Sequence, residues 1–460
     1  MMKNKLLDKN FLLGTDIAKR LYHEVARDLP IIDYHNHLAV ADLECDRTFS
    51  DVYEAWIGND PYKHRAMRIL GAPEWYITGG ATHYEKFLKF CEVFPRLIGT
   101  PLFDWSVMEL SKVFSIELIP SAENADKIWN GCNEILRSLS VKGILKKFNV
   151  EYSAPCVSIL FDPDSLVGAG YSFSVRCDDM LSLDGEFFKE FSKVSGVRIG
   201  TLCDFASAVD KRIEQLWRLG LRFVDHALDG GFAYLPDDGI NEERFSSCLL
   251  GKTLSPEDGC ALKSAILRIL GGIYAKYGLL MQLHMGAERR TSDRLRAVAG
   301  AQGGYAAIGD PLPTASLVGL LRDIENLGGL PKTLLFTLNP SDHAKISTLS
   351  GSFSRDGVPA VVSEGAAWWW CDHLQGIREL FEHLSVYSVL DSFFGMTTDS
   401  RSPLSFVRHD YFRRALCGWI GDKVERGDFI DSFELWKTVV EDVCYKNALN
   451  FIDGGRSNAL

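Results

Sequence analysis

From Val150 onward the chain alternates short apolar runs with long amphipathic segments, and this limits the fold more than any other feature. The runs are APCVSIL, YSFSV, LRFV, LLMQL, TLLFTL, PAVVS and DSFFGMTT, and PIIDYH near residue 30 adds an eighth. Apolar residues at helical spacing follow most of them, over 205–219, 256–277, 314–327, 372–384 and 411–423. Strands alternating with helices predict a parallel sheet joined by right-handed crossovers. Eight such runs predict an α/β fold of the closed (β/α)8 TIM type. The linker FDPDSLVGAG is too short for a full helix, which keeps a doubly wound open sheet as the alternative. There is no dinucleotide fingerprint and no P-loop: the GAG at Gly168 lacks a third glycine and a following helix.

The stretch from Cys45 to Phe148 reads as helical throughout. Thr82 and Glu85 form a capping box ahead of Phe87, Phe90, Cys91 and Phe94 at helical spacing. Thr15 caps an earlier helix with Ile17, Leu21, Tyr22, Val25 and Leu29 on one face. The expected organisation is therefore an N-terminal helix and first strand over 1–41, a helical insertion over 42–150, and the rest of the barrel over 151–460. At 460 residues, 46% of them hydrophobic, the chain is long enough for one large domain carrying an insertion. Fifty basic against 61 acidic residues give a net charge of −11, which argues against nucleic acid as partner. No apolar run reaches membrane-spanning length, and MMKNKLLDKNFLLG lacks a signal-peptide core. Eleven cysteines without a CxxC pair read as free thiols in a reducing cytoplasm, each a small core hydrophobe.

In a strand, residues two apart face the same side, so Asp33, His35 and His37 of PIIDYHNHLAV point one way. A lone histidine on an apolar face is usually a satisfied core group. Two at a strand end need two sets of partners, and their imidazoles can hold one divalent ion. Asp33 reads instead as a structural hydrogen-bond acceptor. A catalytic metal wants a third ligand, and Asp399, where the last apolar run stops, is a candidate ligand or base, with Arg401 two residues on. Other strand ends carry Arg176, Asp225, His284 with Arg289 beyond it, and Trp368 in a WWW run. Any one of these could be structural, but polar or aromatic groups ending so many strands at one mouth is how this fold builds sites.

Together these blocks resemble the uronate isomerase (glucuronate isomerase) family of the amidohydrolase superfamily, over about 15–452. IIDYHNHL resembles its strand-one block and NDPYKHRAMRILG its helical-insert block; SFSVRCDD, FVDHALD, MQLHMGAERR, AAWWWCD and GMTTDSRSPLSFVRHDYFRRALC resemble the later ones. The chain departs from the family's usual pattern at Asn36, in NDPYKHR, after Arg176 and at Arg290 and Thr291. The resemblance implies a barrel with a helical insertion and the interconversion of an aldouronate with a ketouronate, such as D-glucuronate with D-fructuronate or D-galacturonate with D-tagaturonate. It implies metal ligation by His35, His37 and Asp399, and substrate contacts from Tyr62, Arg176, Asp225, His284, Arg289, Trp368 and Arg401. An aldose–ketose shift passes through an enediol, for which Asp399 is the expected proton shuttle, Asp225 its substitute, and Tyr62 or His284 the group at the carbonyl oxygen. A uronate's carboxylate suits the guanidinium forks of Arg176, Arg289 or Arg401. Two His and one Asp suit Zn2+ first, with Mn2+, Co2+ and Fe2+ open by ligand type. The expected partner is a small sugar acid, and exposed insertion helices leave room for a homo-oligomer. The rival reading is a metal-dependent hydrolase on the same barrel, against which the absence of a lysine in FVDHALD counts.

Overall fold

The computed structural model describes residues 8–162, 171–228, 232–300 and 303–457. The leading MMKNKLL and most of the FDPDSLVGAG linker, with its Gly168, lie outside them. Among the described residues nine strands are present: β1 (Ile31–Asn36), β2 (Val150–Ser158), β3 (Ser174–Arg176), β4 (Phe223–Leu228), β5 (Leu280–Met285), β6 (Ala287–Glu288), β7 (Ala307–Ile308), β8 (Lys332–Thr337) and β9 (Val362–Glu364). Seven form one parallel sheet in the order β1-β2-β3-β4-β5-β8-β9. That order never reverses, so the sheet lacks the switch point of a doubly wound fold. β6 and β7 make a separate antiparallel ribbon that no apolar run announces.

Side chains alternate across the sheet. Phe223, Leu280 and Leu334 pack with Tyr34 and Phe394 in one buried cluster. Val224, Met281, Leu335 and Val362 pack in another, with Phe205, Ile213, Leu262, Ile266 and Leu320 of the helices Leu202–Arg218, Pro256–Lys276 and Thr314–Asn326. Both faces are covered, as parallel strands require.

The eighth expected strand is not one. Residues 390–392 form a 3-10 turn, and 393–400 run beside β1 without a regular ladder. Gly395 at φ +78° and Asp399 at φ +47° break the extended conformation. Side chains replace part of the missing ladder: Tyr34 donates from its hydroxyl to Gly395 O at 3.1 Å, and His35 N donates to Thr397 Oγ1 at 2.9 Å.

Between β1 and β2 the chain is helical, as expected. Thr82 and Glu85 form the capping box of the helix His83–Val93, and Phe87, Phe90 and Cys91 are buried. Thr15 caps Asp16–Arg20, which runs on as a π-helical turn, Leu21–Ala26. Buried Trp56, Phe87 and Leu110 share one cluster with Phe223 and Leu404. The helical region thus closes over the sheet's own core. Of the eleven cysteines, all free, Cys45 and Cys203 are exposed rather than in the core.

Candidate active site

β1 carries His35 near its end and hands the chain to His37. Two backbone bonds fix what faces them: Asp399 N donates to His35 O at 3.0 Å, and His37 N donates to Ser400 O at 2.8 Å. Asp399 Oδ1 then lies 3.3 Å from His35 Nε2 and 3.0 Å from His37 Nε2. Asp399 Oδ2 accepts from the indoles of Trp368 and Trp369 at 2.8 and 2.7 Å. Asp399 and Trp369 both hold left-handed backbone, at φ +47° and +44°. That conformation costs a non-glycine residue about 1–2 kcal/mol, and it is sustained here by the bonds around it.

Asp33 is the structural acceptor. It takes hydrogen bonds from Thr397 Oγ1 at 3.1 Å, Thr398 N at 3.0 Å and Asn36 Nδ2 at 3.1 Å, and His409 Nε2 lies 3.1 Å away. It ties β1 to 397–398 and so sets the two sides of the site.

Burial alone would raise the Asp399 carboxyl, but the imidazoles of His35 and His37 close against its Oδ1 hold it well below the ordinary carboxylate range. Burial alone would depress both imidazoles. His35 nevertheless rises, because Asp399 and Asp225 both lie close, while His37 falls. One carboxylate oxygen between two rings favours one proton, not two.

Three ligand atoms around a tetrahedral zinc ion, each about 2.0–2.2 Å from it, stand about 3.3 Å apart. The separations above match that spacing, and His35 Nε2 is buried without a properly aimed hydrogen bond. The donor set therefore fits a divalent ion. His35, Cys156 and Asp225 form a second close group, on the far side of the His35 ring.

A cavity of about 700 Å³, open solvent at its mouth included, lies above these groups. His35, His37, Tyr62, Arg176, His284, Arg289, Trp368, Asp399 and Arg401 all line it, so the structure brings together every expected site residue but Asp225. His284, at the end of β5, stacks on Phe336 with centroids 4.5 Å apart and lies 4.6 Å from the His35 ring. Among the described residues neither of its nitrogens has a hydrogen-bond partner, and burial pushes it well below 6.5, so it is a neutral imidazole lining the cavity. Tyr62 sits in the first turn of the helix Pro61–Ile69, capped by Asp60. Its ring meets the edges of Trp105 and Trp370, and burial raises its phenol, keeping it a donor. The Arg289 guanidinium lies 4.6 Å over Trp369.

Asp225 is fully buried behind Arg176. Its Oδ2 accepts from Arg176 Nε and Nη2 at 2.9 and 2.7 Å, and its Oδ1 accepts from the Cys156 thiol at 2.8 Å. Burial would raise this carboxyl, yet the Arg176 guanidinium holds it far below the usual range. Bonded to Arg176 and Cys156, it does not line the cavity.

Sequence reasoning gave a substrate contact to Trp368 alone of the tryptophan run, but Trp369 and Trp370 line the cavity beside it. It missed two further residues. Cys156 lies in an apolar run and carries no sign there of more than packing. Arg408, buried and paired with Asp372 at 2.7 Å, also donates to Thr398 O and steadies the chain just before Asp399. No spacing in the sequence links these two positions to the site.

The family model described as glucuronate isomerase matches residues 2–452. The chain belongs to the glucuronate isomerase family. A uronate isomerase of Haemophilus influenzae (strain 86-028NP) is 36% identical over 470 residues, covering 97% of this chain and 99% of that protein. A uronate isomerase of Endomicrobium trichonymphae is 37% identical over 466 residues, covering 97% and 98%. The crystal structure of a uronate isomerase from Thermotoga maritima superimposes with a TM-score of 0.90 at 28% identity, covering 97% of this chain and 99% of that one.

Proposed function

We propose that this chain is an aldose–ketose isomerase that interconverts a uronate and its ketouronate by proton transfer through an enediol. Family membership over nearly the full length supports the isomerase reaction. The observation that carries the chemistry is the meeting of His35, His37 and Asp399 on one floor, beneath a wall of arginines and indoles. We assign D-glucuronate/D-fructuronate and D-galacturonate/D-tagaturonate as the substrate pairs.

His35, His37 and Asp399 would hold a divalent ion, Zn2+ by ligand type, which supplies positive charge for the oxygens of the substrate. Asp399 is the only carboxylate lining the cavity among the described residues, so we assign it the proton carried between C1 and C2. Two indoles and two imidazoles make it a weak base, which proximity must offset. Tyr62, held protonated, and His284, held neutral, donate to the carbonyl oxygen as negative charge develops there. Arg176, Arg289 and Arg401 grip the carboxylate of the substrate. Asp225 orients Arg176. Trp368 and Trp369 orient Asp399.

We further propose that 393–400 acts as the eighth stave and closes the barrel against β1, supported by the backbone bonds between Asp399 and His35 and between His37 and Ser400. On this reading residues 42–150 are an insertion in that barrel, because they share its core rather than forming one of their own. Eleven free thiols suit a reducing, cytoplasmic setting. Among the described residues no helix is long and apolar enough to cross a membrane.

Incubation with glucuronate and with galacturonate, with and without a chelator, tests the assignment. A product of unchanged mass that disappears on chelation is expected. A product heavier by one water would support the hydrolase reading instead.

A further inference from the structure

We propose that Cys156 is a positioning residue that links the metal ligand His35 to the substrate clamp Arg176. The inference rests on the metal-site reading given above.

A histidine that ligates a metal through Nε2 carries its proton on Nδ1, and that N–H normally finds a carboxylate or carbonyl acceptor, which fixes the ring. Among the described residues no carboxylate is hydrogen-bonded to His35 Nδ1. The atom it meets is Cys156 Sγ, 3.9 Å away. The thiol in turn donates to Asp225 Oδ1 at 2.8 Å, and Arg176 donates twice to Asp225 Oδ2. The donors run in one consistent sense: imidazole N–H to sulfur, S–H to carboxylate, with guanidinium closing the chain from the other side. Only a side chain that both accepts and donates can stand between His35 and Asp225. Alanine or valine can do neither. Serine can do both, with a slightly shorter reach.

β2 supplies Cys156, paired in register with Ser174 of β3, while Arg176 and Asp225 are paired between β3 and β4. With His35 on β1, the link therefore spans four adjacent strands. It joins the floor of the cavity to its wall and holds both in one arrangement before substrate arrives.

The experiment compares the Zn2+-loaded parent with Cys156→Ala, Cys156→Val and Cys156→Ser. Zinc affinity is read by competition with a chromophoric chelator, and KM and kcat are read separately on glucuronate. Removing a group of this kind beside a metal ligand weakens metal binding by about 10–100-fold. We expect Cys156→Ala and Cys156→Val to lose zinc affinity on that scale and to raise KM several-fold with a smaller change in kcat. Cys156→Ser should recover most of both. Zinc affinity and KM in Cys156→Ala or Cys156→Val within twofold of the parent would overturn the inference while leaving the metal site standing. Equal losses in Cys156→Ser and Cys156→Ala would also overturn it, since packing rather than hydrogen bonding would then be at stake. A parent that binds no zinc would remove the metal reading and this inference together.

Discussion

Asp399 gathers four nitrogens around one carboxylate: two imidazoles on Oδ1 and two indoles on Oδ2. Replacing it by asparagine keeps the shape but removes the charge and, on the function proposed above, the proton carrier. Asp399→Asn should lower kcat by about 10³-fold, with an unchanged far-ultraviolet circular dichroism spectrum; turnover within tenfold of the parent would remove Asp399 from the chemistry. His35 gives a pH prediction. Its value in the metal-free chain lies above 6.5, raised by Asp399 and Asp225 against the effect of burial. Below that raised value a metal must displace one proton from His35, so affinity should climb about tenfold per pH unit and level off above it. His37 is depressed and adds no second proton near neutrality. Chelator competition across neutral pH checks the slope; a flat profile, or a slope of two, would contradict the assignment. At this scale strand periodicity pointed to the imidazole pair, the end of the last apolar run made Asp399 a candidate ligand or base, and the family resemblance joined the three. The sequence concealed Cys156, because a thiol in an apolar run looks the same whether it packs or links.

At the scale of elements, the eight apolar runs located seven of the sheet's strands, because burial on both faces leaves a strong hydrophobic signature. The last run misled for a local reason. Gly395 and Asp399 take left-handed backbone, and extended pairing gives way to the side chains of Thr397 and Asp33. The β6–β7 ribbon was unreadable, since two-residue strands carry no period. It leads into Gly304, at φ +78°, where an added Cβ would come within 2.2 Å of Pro61 O. Arg65 and Trp370 both donate to nearby Ala306 O at 3.2 Å. This close approach presses the ribbon's arm against the helix that carries Tyr62. Gly304→Ala should destabilise the protein by about 1–3 kcal/mol in urea unfolding and raise KM more than it lowers kcat. Unchanged stability and KM would show that the arm tolerates being pushed aside.

For the whole molecule, the fold and the site are one construction. The helical region supplies Tyr62, the strand ends supply the histidines with Arg176 and Arg289, and the segment after β9 supplies Asp399 and Arg401. Those parts lie far apart in sequence, so the cavity exists only when the chain is folded. A metal bound there stabilises the folded state alone, by about 2.7 kcal/mol at a free concentration one hundred times its Kd. Chelation should accordingly lower Tm, and re-added Zn2+ should restore it; a Tm indifferent to both would place the ion elsewhere. The most direct test of the central claim is conversion of glucuronate by the Zn2+-loaded protein in D2O, followed by nuclear magnetic resonance. The expected result is a ketouronate with an intact carbon chain that carries solvent deuterium at the carbon receiving the proton. No conversion, or a product that keeps only the substrate's own hydrogen, would contradict proton transfer at this site.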